Sequence, residues 1–305
     1  MSSIQNVAVL GASGTLGAIV VPALLQAGFT VTVISRPGGR ALPSNDPSIS
    51  LKYAAYDDVP ALTTALHNQD ALIELFNPTA TIHRRTIIRA ALASPTIKHI
   101  ITNEFGFDTF HPAVASIPSA QLKVAAQRVL EEELQAAAAG GNTSVPAWTG
   151  IVTGIWFDWA MRAGKFWVDG VARTITRFGS GDQHTSISRA ALNGEAVVAV
   201  LRAPHRFRNR AAYFASHTVT TNELIALLVD DEGGSETATP WTVVDVPDMA
   251  AFSREARRLW DEDGRNGVVD RLHTRAWEML AVAAVFDEEG GFGADLRGKV
   301  EPGWG

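Results

Sequence analysis

The chain contains no cysteine. Disulfides, thiolate nucleophiles and zinc–thiolate centres are therefore excluded. Tyrosine is nearly as scarce. Tyr53, Tyr56 and Tyr213 are the only three in 305 residues, and none has a lysine four positions on, so no Tyr-x-x-x-Lys acid pair exists. Long apolar runs are missing too: AIVVPALL and AVAAVF fall well short of the about 20 residues that a membrane span needs. Lys and Arg total 26 against 32 Asp and Glu, a net charge of −6 that offers no basic footprint for nucleic acid. His-Glu-x-x-His, Gly-x-Ser-x-Gly and the Gly-Lys-Ser/Thr phosphate loop do not occur. The eight histidines are scattered singly, so no metal site is expected. DEDGRNGVVD lacks the alternating ligands and terminal Glu of a calcium loop. The start, MSSIQNVAVLG, has no basic stretch before an apolar core, which argues against a secretory signal and for a cytoplasmic protein.

What is present is an alternation of strand and helix patterns. Val7–Gly11, Thr30–Ser35, Asp70–Phe76 and Ile97–Thr102 are short β-rich apolar runs. Between them TLGAIVVPALLQAG and TIHRRTIIRAALAS place apolar residues at helical spacing. Such alternation predicts an α/β fold, a Rossmann-like doubly wound parallel sheet. AWTGIVTGIWFDWAM reads as a last core strand running into an aromatic loop. SISRAALNGEAVVAVLRA, TNELIALLVDD, AAFSREARRLW and VVDRLHTRAWEMLAVAAVF read as helices, and AAYFA as a strand. The expected organisation is a nucleotide-binding domain over 1–154, to which 188–216 returns. A smaller intermeshed α/β substrate lobe takes 155–187 and 217–305.

GASGTLG sits between the first strand and the first helix. Gly11 permits a tight turn, and Gly14 lets backbone approach a pyrophosphate at the helix N-terminus, where free N–H groups point outward. Gly11, Ser13, Gly14, Thr15, Leu16 and Gly17 are thus candidate dinucleotide contacts. The second strand ends in Ser35-Arg36, roughly twenty residues on, where an acidic residue would favour NAD. Arg36, with Arg40 behind it, instead suits a 2′-phosphate through paired charge-assisted bonds, so NADPH/NADP+ is the expected cofactor. The plain alternative is a solvated arginine in the loop RPGGR. Phe76, Asn77 and Asn103, at the carboxyl ends of later strands, complete the candidate cofactor contacts. The basic run Arg202–Arg210 is read as a helix end and a solvated loop.

SAQLKVAAQRVLEEE predicts a surface helix with an apolar stripe of Leu122, Ala126, Val129 and Leu130. Lys123 lies about 100° from Leu122, flanking the buried face. Its stem can pack while its ammonium reaches the sheet's carboxyl edge, where ligands bind in doubly wound folds. A lysine partly desolvated there can act as acid or base, or can simply solvate the helix.

Three motifs give the chain a resemblance to the NmrA-like and isoflavone-reductase-like family of atypical short-chain dehydrogenases. They are GASGTLG followed by Arg36, then IITNEFGFD, similar to that family's Ser-Glu-Phe-Gly turn, then Lys123 with Arg128 and Glu131 on the family's Lys…Arg…Glu helix. EEGGFGADL near the end resembles fungal members. The resemblance implies that Lys123 is the catalytic residue and contacts the nicotinamide ribose. It departs at Asn103, where the family has serine, at Ala120, where an aromatic is usual, and at His83, which stands for a helix glutamine.

GIWFDWAMRAGKFW concentrates Trp156, Phe157, Trp159, Phe166 and Trp167 within twelve residues. Trp156 and Phe157 are expected at a substrate pocket, the other three mostly in the core. Phe105, Phe107 and His184 are further pocket candidates. The function expected is NADPH-dependent reduction of a small, largely apolar, aromatic, polyketide- or alkaloid-like metabolite, at C=O, C=N or an activated C=C, with Lys123 supplying or ordering the proton. A regulatory protein that senses NADP(H) without catalysis, and a non-redox enzyme on the same scaffold, are the alternatives.

Overall fold

The computed structural model describes residues 3–39, 46–230, 240–272, 274–288 and 294–304. The chain divides into two compact units. The first comprises residues 1–105, 122–151 and 191–212, and the second comprises 106–121, 152–190 and 213–305.

The first unit is built on a seven-stranded sheet. Its strands are β1 (Asn6–Leu10), β2 (Thr30–Ser35), β3 (Ile49–Tyr53), β4 (Ala71–Glu74), β5 (His99–Thr102), β6 (Ala147–Val152) and a later one, Arg210–Tyr213. β3, β2, β1, β4, β5 and β6 follow in that spatial order with parallel pairing, and the Arg210–Tyr213 strand lies beyond β6. β4, β5 and β6 are buried along their whole length, as strands covered on both faces must be. The helices are α1 (Thr15–Gln26), α2 (Val59–Ala65), α3 (Arg84–Leu92), α4 (Gln121–Ala139) and Leu192–Arg202. The order reverses at β1 and β4, the switch point beside which doubly wound sheets bind ligands, at the carboxyl ends of the strands. This is the Rossmann-like architecture that the alternation predicts.

The stripe of α4 differs from the expected one. Ala126, Leu130 and Leu134 are its buried residues, whereas Leu122 is 41% exposed. Lys123, three positions before Ala126, therefore lies in line with the buried stripe.

The second unit has two three-stranded sheets. In one, β10 (Thr185–Ser188) pairs parallel with β7 (Ile155–Trp156) and antiparallel with β12 (His217–Val219). In the other, β9 (Thr174–Phe178) pairs with β8 (Val168–Asp169) and β13 (Thr242–Val246). The Arg210–Tyr213 strand is thus β11, and the Leu192–Arg202 helix is α6. Residues 106–121 enter this unit through two short 3-10 turns, Pro112–Ser116 and Pro118–Ala120, each opened by a proline.

Three sequence readings are corrected here. The segment after β7 is a helix, α5 (Phe157–Ala163), and not a loop; Gly164 at φ +60° ends it. Thr185–Ser188 is a strand, because its backbone pairs with β7 on one side and β12 on the other, and α6 starts only at Leu192. The last helix begins at Arg275, where the Thr274 side chain caps it by accepting from the Trp277 amide. Among the described residues no helix is long and apolar enough to cross a membrane. Nor does any group of three or more His, Asp or Glu there have the arrangement to hold a metal ion.

Candidate active site

The glycine loop leaves β1 with Gly11 at φ +83°. A Cβ there would stand 2.4 Å from the Phe76 backbone nitrogen, so only glycine lets the loop pass the end of β4. Gly14 is different. Its φ is ordinary at −90°, and a Cβ would meet nothing nearer than the Gly11 oxygen at 3.6 Å. The fold itself does not demand glycine there; the space beside it is open. Gly14 is also the N-cap of α1, and no side chain caps that helix. The first-turn amides of Thr15, Leu16 and Gly17 are left for an anion. Gly14 and Thr15 are exposed, and Ser13 and Leu16 half-exposed. An open, uncapped helix start with room for close backbone approach fits a dinucleotide pyrophosphate.

Arg36 is exposed at the end of β2, with its guanidinium 5.6 Å over the Tyr56 ring. Tyr56 itself is buried and packs its ring against Phe76 at 5.5 Å. Burial pushes its phenol up to about 12, against the opposing charge of Arg36 and a backbone hydrogen bond with Gly11. Tyr56 thus ties together three parts of the candidate cofactor site, and sequence reading missed it. A tyrosine just past an edge strand gave no local signal. Arg40 lies outside the described residues. Arg36→Asp is expected to weaken NADPH binding by about ten- to a hundredfold, the value of a charge-assisted pair, and to leave NADH binding little changed. Titration of Trp fluorescence with each nucleotide measures both.

At the ends of β4 and β5 the chain buries charge. Glu74, Arg84 and Glu104 are each at most 1% exposed. Arg84 Nη2 meets Glu74 Oε2 at 2.5 Å, and Arg84 Nη1 lies 3.9 Å from Glu104 Oε1. Asn103 donates its backbone N–H to Glu74 Oε2 at 3.3 Å and its side-chain amide to the Phe76 carbonyl at 2.6 Å. Asn103 therefore joins β5 to β4. Phe105 follows at φ +41°, its N–H donated to the Ile151 carbonyl at 2.7 Å. Its side chain is buried. Asn77 is exposed and turns its side chain to the Thr79 amide.

Lys123 reaches this turn. Its half-buried side chain donates from Nζ to the Glu104 carbonyl oxygen at 2.5 Å. Burial pushes the ammonium below the usual lysine range; the Glu104 charge pulls it back up and Arg84 pushes it further down. Burial likewise raises the Glu74 carboxyl, which Arg84 opposes. Arg84 and Glu74 were missed in sequence. Both carried a signal: Arg84 stands with Ile87, Ile88 and Ala91 on the buried stripe of α3, and Glu74 closes a strand that is otherwise apolar. His83 is half-exposed instead, its ring edge-on to Tyr56 at 6.5 Å.

The second unit holds the remaining candidates. Phe157 packs on that unit's core with Trp159 and Phe166, its ring 5.9 Å from buried Trp167. Trp156 is half-exposed, donates Nε1 to Thr153 Oγ1 at 3.2 Å, and stands edge-on to Trp159 at 6.2 Å. Phe107 and His184 are half-exposed, and His184 is near enough for its charge to act on Asp295.

Residues 3–135, which hold the glycine loop, Arg36, the buried charges and Lys123, match the model of the NmrA-like family. The chain is 31% identical over 216 residues to "Oxidoreductase poxI" of Penicillium oxalicum, across 70% of this chain and 66% of that protein, just under two thirds of its length. Solved structures share the fold at low identity. Leucoanthocyanidin reductase of Vitis vinifera in binary complex with NADPH superposes with a TM-score of 0.68 at 17% identity, covering 96% of this chain and 89% of that one. A structure from work on pinoresinol-lariciresinol and phenylcoumaran benzylic ether reductases gives 0.71 at 14% identity, covering 98% and 93%.

Proposed function

We propose that this NmrA-like protein is an NADPH-dependent reductase of a small, largely apolar metabolite, with Lys123 as its catalytic residue. The observation that carries the reading is the Lys123 geometry. A half-buried amine on α4 is held by a backbone carbonyl just past β5, in the same unit as an open, uncapped glycine loop. The names of the fungal relative and of the plant reductases support it.

In this reading the amides after Gly14 hold the pyrophosphate and Arg36 holds the 2′-phosphate. NADPH, when bound, supplies hydride to a C=O, C=N or activated C=C. Lys123 delivers or orders the proton that balances it. Its lowered basicity suits that task, because a proton donor works best when its pKa lies near the working pH. Among the second unit's aromatic candidates Phe107 and Trp156 are partly exposed, whereas Phe157 packs on that unit's core.

The test follows NADPH absorbance with a panel of planar ketones, imines and enones. Wild type should oxidise NADPH with at least one of them. Lys123→Met should lower kcat by about 100- to 10,000-fold, the usual worth of a placed proton donor, and leave NADPH affinity within a few-fold. An unchanged rate in Lys123→Met would sink the catalytic role. Tight NADPH binding with no oxidation by any compound would move the reading to a binding-only regulator.

A further inference from the structure

The glycine loop, Arg36 and the Lys123 amine gather at the carboxyl ends of the parallel strands. The amino ends hold a second concavity, which the proposed function does not use. It is a cavity of roughly 290 Å³ lined by Ile4 ahead of β1, Lys98 and His99 at the start of β5, Val145 and Ala147 at the start of β6, and Arg208. These residues all belong to the first unit. At about 3.3 Å per residue, strands of 4 to 6 residues set the two ends about 13–20 Å apart.

The polar groups of the cavity are engaged unequally. Lys98 donates to Asp70 Oδ1 at 2.6 Å, and the Gln5 and Asn6 amides donate to Asp70 Oδ2 at 2.9 and 2.8 Å, which leaves that ion pair neutral and satisfied. The fixed charge left over is Arg208. Among the described residues it has neither a carboxylate nor a hydrogen-bond partner, and its charge acts on the His99 ring. His99 is 1% exposed, and its Nε2 donates to Thr149 Oγ1, whose one proton goes to the Phe207 carbonyl. Nδ1 therefore bears the lone pair, and it has no partner among the described residues. His205 also lines the cavity and is exposed. One uncompensated cation and one unused acceptor thus meet the apolar walls of Ile4, Ile97 and Val145.

We propose that this cavity binds a small apolar hydroxy acid: a carboxylate on Arg208, a hydroxyl donating to His99 Nδ1, and a compact hydrocarbon body against Ile4, Ile97 and Val145. A single fixed cation matches a monoanion. A phosphate would bring a second charge without a partner, and apolar walls return nothing to a small hydrated ion. The volume, at the lower edge of the about 300–1,000 Å³ of ligand sites, suits a one-ring or short branched acid. The proposal is independent of NADPH chemistry at the other end of the strands.

The test titrates the full chain, its histidine nitrogens isotope-labelled for NMR, with ortho-, meta- and para-hydroxybenzoate. At least one isomer should bind saturably, with a dissociation constant below about 5 mM, and move the His99 Nδ1 resonance as an accepted hydrogen bond does. Benzoate, without the hydroxyl, should bind about fivefold more weakly, and inorganic phosphate and the matching uncharged hydroxybenzyl alcohol about tenfold more weakly. Arg208 is exposed, so Arg208→Gln spares the core; it should weaken the acid about tenfold. Arg206→Gln removes an equal charge close by in sequence but outside the cavity lining, where solvent screens it, and should change binding less than about twofold. Val145→Trp fills the cavity, keeps its charges and should abolish binding. NADPH binding should match wild type in all three variants. The proposal is overturned if no isomer saturates, or if phosphate or the alcohol binds as tightly as the acid. It is equally overturned if the two arginine variants lose the same affinity, or if the Nδ1 resonance stays in place at saturation.

Discussion

Arg84→Met alone is expected to lower the unfolding free energy by about 3–5 kcal/mol, and the added Glu74→Gln change to return most of that loss. The single variant strands a carboxylate that is 0% exposed, next to the Glu104 carboxylate. The double variant removes the stranded charge. The loss should also depend on pH, in a stated direction. Burial already raises the Glu74 carboxyl above its ordinary value, and without Arg84 it rises further. A carboxyl whose folded pKa exceeds its unfolded one stabilises most at low pH, where both states are protonated. That stability is lost as pH climbs through and above the unfolded value. Urea unfolding of Arg84→Met should therefore show a larger deficit at pH 8 than at pH 5. Equal deficits, or an additive double variant, would mean that the pair is not coupled as the 2.5 Å contact implies.

The same cluster shows which parts of the molecule can be read from sequence. Gly11 is legible because its constraint is local: a turn at φ +83° against a neighbouring backbone admits almost nothing else. The sheet is legible for a related reason, since doubly covered strands need largely apolar runs, such as Ala71–Ile73 in β4 and Ile100–Ile101 in β5. Lys123 is half legible. Spacing set it beside the buried face, but the stripe had been drawn through Leu122, which is exposed, and not through Leu134, which is buried. Nothing within α4 distinguishes those two leucines; their neighbours from other elements do. Glu74 and Arg84 looked like misfits in apolar patterns because each is satisfied by the other across ten positions, and by Glu104 farther on. Ser186–Ser188 reads in sequence as part of the helix that follows, since a four-residue strand carries too short a pattern to stand against eleven residues of helix. Tyr56 had no pattern at all. Its place depends on Gly11, Arg36 and Phe76 arriving from three other segments.

A second large effect is expected in mild acid, and it falls far from the glycine loop, at the start of β5. His99 is 1% exposed, and its Nε2 lies 2.7 Å from Thr149 Oγ1. The Thr149 hydroxyl has one proton, which it donates to the Phe207 carbonyl at 2.6 Å. At the histidine contact it must accept, so Nε2 carries the hydrogen of the neutral ring and Nδ1 carries the lone pair. A second proton would have to enter at Nδ1, in a ring that lines a cavity of roughly 290 Å³ together with Lys98, His205 and Arg208. Burial, and then the Arg208 charge, hold the ring's pKa down at about 4. The unfolded chain protonates the same ring near its ordinary value, so it binds the proton first. The stabilisation is therefore complete above pH 6.5 and drains away as pH falls from there toward 4, by about 3 kcal/mol across the window. His99→Gln retains a donor for Thr149 and has no proton to gain. It should flatten the loss of stability between pH 7.5 and pH 5 in urea titrations, even if it is less stable at both. An NMR titration gives the direct reading: the His99 ring signal should stay at its neutral position down to pH 5 while exposed histidines move. Movement near pH 6.5, or an undiminished acid loss in His99→Gln, would show that the ring accepts its proton in the folded protein and that the acid sensitivity belongs to another group.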